Sequence, residues 1–276
     1  LGLVEGTPII PGGVDVGAAN VGMGIFKPGK YVAAIGSSMN AALVSEKPIK
    51  GQGLIVWPYP YKSEKLVYNF SGSATAGAIT KWFRDNMAQF EVEKQKQGGD
   101  NAYVALNKES KGIEPGSEGL VVLPYFMGER APIWNSDAKG LVFGLSLAHT
   151  KAHLYHAFQE AVCYALRHSI ESTGRDLGEY IIIAGGVTNS PDWVQMFADV
   201  TGYAVRTPIE DAEANLGDVM MAGIGTGTLS VEDVQKWQVL GPEVKPDPVR
   251  HDIYNNYYHL YRKLYNDLEG DMHDLS

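Results

Sequence analysis

The sequence has little cysteine, no long apolar run and no excess of positive charge. Its single cysteine, Cys163, cannot form an internal disulfide. It lies in an apolar helical pattern that predicts a buried, unreactive thiol, which suits a reducing cytoplasm. No apolar stretch approaches the ~18 residues that cross a bilayer, so no membrane partner is expected. The formal net charge of −9 and the lack of a long basic run argue against a nucleic-acid partner.

The beginning of the chain carries no targeting signal that can be read from the sequence. Residues 1–6 have neither a basic stretch nor an apolar core, so no signal peptide is predicted, and the lack of a starting Met suggests a processed or trimmed chain. The length of 276 residues, 45% of them hydrophobic, is enough for one large core.

Strand-like and helix-like segments alternate along the chain, with glycines where they meet, which predicts an α/β layer structure. Strands are predicted at 8–10, 31–35, 40–44, 181–183 and 204–207, the second and third forming a hairpin. The apolar run 181–183 is typical of a strand covered on both faces. Helices are predicted at 17–21, 74–87, 151–170 with Thr150 as N-cap, from Pro191 with Ser190 as N-cap, 213–223 and 254–268. The polar stretch 91–110 is predicted to be a mobile surface loop with a short helix.

The first motif with chemical potential is Gly12-Gly13-Val14-Asp15, before the first predicted helix. The glycines let the backbone turn sharply, and a carboxylate at the helix start could accept a proton from an attacking hydroxyl. An Asp that merely caps the helix would give the same pattern. Spacing alone leaves both interpretations open, and by itself favours the cap.

Two glycine-containing turns each follow a predicted strand. Gly36-Ser37-Ser38 offers backbone N–H groups and two hydroxyls to a phosphate, although such turns often only join two strands. Gly185-Gly186, followed by Asn189 and the N-cap Ser190, leaves no side chain between the backbone and a flat ligand. Each turn is weak evidence by itself.

Several other residues invite a functional interpretation that the pattern does not support. His149, His153 and His156 lack an acidic or cysteine partner at ligand spacing, so no metal site is predicted. Glu129 and Arg130 are expected to form an internal ion pair that shapes a loop.

The most distinctive segment runs from Pro124 to Gly140 as PYFMGERAPIWNSDAKG, followed by the apolar run 141–146 and the helix at Thr150. This order closely resembles the C-terminal domain of the FGGY carbohydrate kinases, which phosphorylate sugars with ATP. The resemblance extends from Gly6 to about Thr228. It implies an RNase H-like, actin-like ATPase fold with a mixed five-stranded sheet and flanking helices, a domain over 1–240, and a helical extension over 241–276 packed on the same domain.

The resemblance also implies roles for the motifs. Asp15 corresponds to the catalytic base, and Gly36, Ser37 and Ser38 to the phosphate turn, with Ser37 where the family has Thr. Gly77 lies in the family helix that lines the nucleotide, and Lys81 either points at the nucleotide or is an ordinary exposed lysine. The nucleoside turn corresponds to Gly185, Gly186, Asn189 and Ser190, with Val187 where a third glycine is usual. ATP is the expected cofactor, and Mg²⁺ would arrive with it rather than at a metal site of its own.

The half of an FGGY kinase that carries the Asp-x-Gly-Thr phosphate loop and most sugar contacts has no match in this sequence. The isolated chain is therefore expected to be inactive, with that N-terminal domain and a sugar as its partners; a homodimer remains open. The run 115–130 is most similar to pentulose kinases of the xylulokinase type, with gluconate and glycerol kinases as alternatives. A non-catalytic nucleotide-binding module and a plain scaffold are the rival classes.

Overall fold

A mixed sheet forms the centre of the computed structural model, which describes residues 2–50, 53–210 and 214–275. Within these residues six strands form the main sheet in the order β3-β4-β2-β1-β7-β8, and β5 and β6 form a separate pair. The strands are β1 Tyr31–Ile35, β2 Met39–Ser45, β3 Ile55–Pro58, β4 Val67–Ser73, β5 Val121–Leu123, β6 Leu141–Phe143, β7 Tyr180–Ala184 and β8 Ala204–Arg206.

Helices cover both faces of this sheet. They are α1 Asp15–Gly22, α2 Gly77–Met87, α3 Gln89–Lys96, α4 Ala102–Ser110, α5 Lys151–Glu171, α6 Pro191–Thr201, α7 Ala214–Gly225, α8 Val231–Gln235 and α9 Pro248–Asp274. A 3₁₀ turn, Gly186–Asn189, separates β7 from α6.

The sheet combines an antiparallel hairpin with parallel crossovers. β1 and β2 pair antiparallel with Ile35 opposite Met39, so residues 36–38 form the predicted hairpin turn. β7 lies parallel to both β1 and β8. Because β1 and β7 are parallel neighbours, their carboxyl ends meet at the same edge of the sheet, where ligands commonly bind in α/β folds.

Alternate residues of β7 belong to two different cores, as the two-residue period of a strand requires. Ile181 and Ile183 pack in the larger core, with side chains from α2, α5, α6 and α9. Ile182 and Ala184 pack in the smaller core with α1 and α7. This double burial is what the continuous apolar run predicts.

Helices α1 and α7 approach each other closely in the smaller core. A Cβ added at Gly217 of α7 would clash with the backbone of Ala18 and come within 3.0 Å of the Gly22 nitrogen. Glycine at 217 therefore lets α7 lie directly on α1, which fixes the helix whose first residue is Asp15.

The structure corrects three details of the predictions. Residues 8–10 form no strand, because the flanking Pro8 and Pro11 remove ladder donors, and Ile9 is 88% exposed. The main sheet has six strands where five were expected. The stretch 91–110 is mostly helical, in α3 and α4, where a mobile surface loop with one short helix was expected. Of the predicted helix 213–223, residue 213 lies outside the described residues.

The C-terminal helix α9 starts earlier and ends later than predicted. Its tyrosines at 254, 258, 261 and 265 are buried in the larger core.

No helix among the described residues is both long enough and apolar enough to span a membrane.

Candidate functional site

Two cavities adjoin at the carboxyl ends of β1 and β7. One, of about 570 Å³, contains Asp15 and is called the Asp15 cavity. The other, of about 600 Å³, contains Lys81 and is called the Lys81 cavity. Both are lined by Ile35, Gly36, Gly186 and Asn189, so the two cavities adjoin at these residues, and together they are called the cleft.

Every predicted site residue lines this cleft, although these residues come from four separate parts of the sequence. Asp15, Ser38 and Gly185 line the Asp15 cavity. The Lys81 cavity is lined by Ser37, Gly77, Lys81 and Ser190. The remaining predicted residues, Gly36, Gly186 and Asn189, line both.

Asp15 is the first residue of α1 and is exposed to the cleft. Val14 occupies the N-cap position and makes no side-chain cap hydrogen bond. Asp15 Oδ1 accepts a hydrogen bond from the Val16 N–H at 2.7 Å, so one carboxylate oxygen helps to satisfy the helix start. Burial, and to a lesser extent the negative charge of Asp15, raises the pKa of Tyr68 to about 12.

The Gly36-Ser37-Ser38 turn packs against the start of α2. The Gly77 N–H donates to the Gly36 carbonyl at 2.8 Å, and the Ala76 and Ala78 N–H groups donate to the Ser37 carbonyl at 2.9 and 3.0 Å. A Cβ at Gly77 would lie 2.5 Å from the Gly36 carbonyl oxygen. Gly77 is thus needed for the packing of α2 on the turn, whatever ligand the cleft holds.

The two glycines of the turn after β7 differ in backbone conformation and in the space around them. Gly185 has a φ of +98°, and a Cβ there would clash with the Ile35 carbonyl oxygen. Gly186 begins the 3₁₀ turn, and Ser190 then caps α6 by accepting the Trp193 N–H at 3.3 Å. The predicted cap at Ser190 with Pro191 as the first helical residue is confirmed. Val187, where a third glycine was expected, is 3% exposed and packs in the larger core.

Close packing or a left-handed backbone explains why residues 77 and 185 are glycines, but neither explains Gly36 and Gly186. A Cβ at either position would meet no atom within 4 Å, and neither backbone is in the left-handed region. Both residues lie where the two cavities join. The open space beside them leaves room for a ligand to contact the backbone directly.

Lys81 is exposed on α2 and also lines the Lys81 cavity, so both of its predicted interpretations stay open. Its Nζ atom lies 3.2 Å from Asp85 Oδ2, one turn along the exposed side of α2, with 63% of the lysine side chain exposed. The same residue lines the Lys81 cavity. An exposed i,i+4 pair of this kind contributes only about 0.3–0.5 kcal/mol, so it holds the ammonium group weakly.

The sequence reasoning missed one wall of the Lys81 cavity. The N-cap Asn101 and the α4 residues Tyr103, Val104 and Asn107 line the cavity, in the stretch that was predicted as a surface loop with a short helix. The available signal was Asn101, whose side chain caps α4 by accepting the Tyr103 N–H at 2.9 Å. It also missed Asn20 and Thr188 in the Asp15 cavity.

Residues predicted to be structural do lie outside the cleft. The Glu129 carboxylate accepts hydrogen bonds from Ser73 Oγ at 2.7 Å and from the backbone N–H groups of Ala74 and Arg130 at 2.9 and 2.7 Å. These three donors bind the Glu129 carboxylate in place of the Arg130 guanidinium, so the predicted ion pair is not found. Burial raises the pKa of Glu129 to about 7.

The side chains of His149, before α5, and His153, within it, accept hydrogen bonds from backbone N–H groups. His149 Nδ1 accepts the Ser146 N–H at 2.9 Å, and His153 Nδ1 accepts the Thr150 N–H at 3.1 Å. Across residues 2–50, 53–210 and 214–275, no three His, Cys, Asp or Glu side chains are grouped as ligands for a metal ion. Cys163 is buried as predicted, and burial raises the pKa of its thiol.

Comparison with known proteins gives consistent matches. The C-terminal domain model of the FGGY family of carbohydrate kinases matches residues 32–226. A gluconokinase of Bacillus licheniformis is 31% identical over 238 residues, covering 85% of this chain and 46% of that protein. A xylulose kinase of Bacillus subtilis is 27% identical over 272 residues, covering 96% of this chain and 52% of that protein.

Solved structures agree with these matches. The xylulose kinase of Rhodospirillum rubrum has a TM-score of 0.86 and 28% identity, covering 99% of this chain and 54% of that chain. The predicted actin-like α/β fold is therefore confirmed. The chain spans about half the length of the curated relatives it matches. Since the family model covers most of the sequence, this chain belongs to the FGGY family of carbohydrate kinases and corresponds to their C-terminal domain.

Proposed function

We propose that this chain binds Mg-ATP in the cleft and supplies the base for phosphorylation of a sugar hydroxyl. In this proposal the nucleoside lies in the Lys81 cavity and the phosphates extend past Gly36 and Gly186 into the Asp15 cavity. The Asp15 carboxylate takes the proton from the hydroxyl as its oxygen attacks the terminal phosphorus. The bond to the leaving oxygen breaks, and ADP is released.

The observation that carries this proposal is the pair Gly36 and Gly186. Neither glycine is required by a close packing contact or by a left-handed backbone. Both nevertheless lie where the two cavities meet. An elongated ligand that crosses from one cavity to the other would need backbone without side chains at this point. A nucleoside triphosphate has that shape, with a flat group at one end and an anionic chain at the other.

The groups around the Asp15 cavity suit phosphoryl transfer, which depends mainly on positioning and on a base for the nucleophile. Asp15 lies at the edge of the cavity, and its Oδ1 atom is held by the Val16 N–H. Mg²⁺ in such sites is bound largely by phosphate oxygens and water with one or two carboxylates, and would neutralise charge on the phosphates. Asp15 is the carboxylate that the described residues offer in this cavity.

The acceptor sugar and the opposite side of the cleft belong to the part of the enzyme outside this chain. Because this chain spans about half of its relatives, full activity is assigned to the complete protein, with closure of the two halves excluding water. Holding the reactants together is the larger part of the rate enhancement in such transfers, so the chain alone should be inactive.

We infer a ketopentose of the xylulose type as the acceptor. The xylulose kinase of Rhodospirillum rubrum supports this choice, since it aligns with 99% of the chain at a TM-score of 0.86. Gluconate is the second candidate, supported by the 31% identity to the gluconokinase of Bacillus licheniformis. Kinase assays of the complete protein with xylulose, ribulose, gluconate and glycerol separate these candidates by kcat/KM.

A non-catalytic nucleotide sensor is the rival from another class. A sensor has no use for a carboxylate at the position of Asp15, so kinase activity that depends on Asp15 distinguishes the two. A plain scaffold would bind no nucleotide at all.

Calorimetric titration with Mg-ATP tests the nucleotide site, using this chain, Gly186→Val and the control Gly270→Val. Gly270 also has no atom within 4 Å of an added Cβ, but it lies on the exposed side of α9. We expect the parent and Gly270→Val to bind and Gly186→Val to lose binding. Equal binding by all three would place the nucleotide elsewhere. A folded parent that binds no Mg-ATP would contradict a nucleotide site in this chain.

A further inference from the structure

Asn20 is a buried polar residue in the Asp15 cavity that neither the fold nor the motifs explain. It is 3% exposed, and its side-chain Nδ2 atom has no hydrogen-bond partner among the described residues. Buried amides are normally paired, since an unpaired donor loses its hydration without compensation. Asn20 nevertheless lines a cavity large enough for a ligand.

Asn20 and Asp15 lie on the same side of α1. The α1 residues that line the cavity are 15, 16, 19 and 20, which is the spacing of one helix face. Asn20 is five positions after Asp15, so it lies about 7.5 Å further along the helix axis. Ala34, Ile35 and Ala184, at the ends of the parallel strands β1 and β7, line the same cavity.

We propose that the side-chain amide of Asn20 donates a hydrogen bond to a phosphate oxygen of the bound nucleotide. This inference rests on the proposed nucleotide site. Asn20 shares the cavity with Gly36, Ser38 and Gly186, the backbone along which the phosphates would lie. An amide is neutral and offers two N–H donors, which matches an anion without adding a charge to the buried wall.

The position of Asn20 also separates this role from general-base catalysis. Asp15 lies at the exposed start of the helix, where an acceptor from the other half of the enzyme would arrive. Asn20 lies deeper, beside the strand ends. It therefore acts on the nucleotide rather than on the acceptor, and its effect should depend on the phosphates that the nucleotide carries.

The test compares adenosine, Mg-ADP and Mg-ATP as ligands for this chain and for Asn20→Ala, Asn20→Leu and Asn20→Asp. Loss of a hydrogen bond to a charged group should weaken Mg-ADP and Mg-ATP about tenfold or more in the Ala and Leu variants. Asn20→Asp should weaken them further, because its carboxylate faces the phosphates. Adenosine affinity should change less than about twofold.

Gln238 provides the matched control. Its Nε2 atom is also buried without a partner among the described residues, but Gln238 does not line the cleft. Gln238→Ala should leave the affinity for all three ligands unchanged. Circular dichroism checks that each variant is folded. The Leu variant keeps the side-chain volume if the Ala variant does not fold.

The results distinguish this inference from the proposed function. Unchanged Mg-ADP affinity in the folded Asn20 variants would overturn the inference and leave the nucleotide site intact. Equal weakening of adenosine and Mg-ADP would also overturn it, since that pattern indicates a general disturbance of the cleft. A parent chain that binds none of the ligands would overturn both.

Discussion

The cleft and the packed region behind it use the same residue types under different constraints. Gly185 and Gly186 are neighbours, yet a Cβ at Gly185 would clash with β1 while a Cβ at Gly186 would meet no atom within 4 Å. Asp15 is exposed at the start of α1, whereas Glu160 is 1% exposed within α5. Such pairs show that residue type alone does not distinguish a ligand site from a structural position; the surrounding space does.

The largest expected effect belongs to Asp15. In the complete enzyme, Asp15→Asn should lower kcat by roughly 10²- to 10⁴-fold, the usual contribution of a positioned base. Because Asp15 is exposed, the free energy of unfolding should change by less than about 0.5 kcal/mol. Steady-state kinetics and thermal denaturation of the same preparation measure both quantities.

Asp252→Asn is the control for Asp15→Asn, since Asp252 is exposed on α9 away from the cleft. It should retain parental kinetics. Near-parental kcat in Asp15→Asn would show that Asp15 is not the base, and would favour a sensor.

Gly185→Ala should give the next largest effect, and it should appear in stability. The left-handed backbone at φ +98° and the displaced Ile35 carbonyl together should cost about 2–4 kcal/mol. Denaturant unfolding of this chain beside Gly186→Ala measures the difference between the two neighbours. Equal stability of the two variants would contradict the division between packed and open glycines.

The buried carboxylate of Glu160 gives an effect on stability that depends on pH. Burial raises the pKa of Glu160 from 4.5 to about 8, although Gly116 N–H and Ser117 Oγ donate to it at 2.7 and 2.8 Å. With the folded pKa above the unfolded one, its stabilising contribution is complete below pH 4.5 and is lost as the pH rises through about 8. Glu160→Gln removes this dependence. Its stability relative to the parent should therefore increase with pH, by at most about 1.4 kcal/mol per unit.

Unfolding of Glu160→Gln and parent at several pH values between 5 and 8 gives this difference. Glu179→Gln, at an exposed position, serves as the comparison. A difference between Glu160→Gln and parent that stays constant with pH would show that Glu160 is ionised throughout in the folded chain.

Much of the fold follows from local sequence signals. The hairpin at β1 and β2, the buried strand β7 and the Ser190-Pro191 helix start each have a strong local cause, and each is found where predicted. Only one short helix, without bounds, was predicted in 91–110, because the polar run 94–100 in the middle of that stretch is typical of a loop. The position of α4 beside the cleft depends on packing against α5, a contact distant in the sequence that local patterns do not encode.

The site was predictable where glycine motifs and the family resemblance mark it, and not elsewhere. Asn20 lies in a run of small and apolar residues where its burial cannot be read from spacing. Gly77 was assigned to the helix that lines the nucleotide, but the structure gives it a packing role as well, since the Gly36 carbonyl occupies the space a Cβ would need. Only the arrangement of neighbouring elements separates these cases.

The junction at Gly36 and Gly186 has a consequence for inhibitor chemistry. Each adjoining cavity, at about 570 and 600 Å³, has the volume of a small-molecule site. Two fragments that bind separately could be joined by a short linker across the glycines. The second binding event would then become intramolecular, and the linked compound would gain affinity without any new contact.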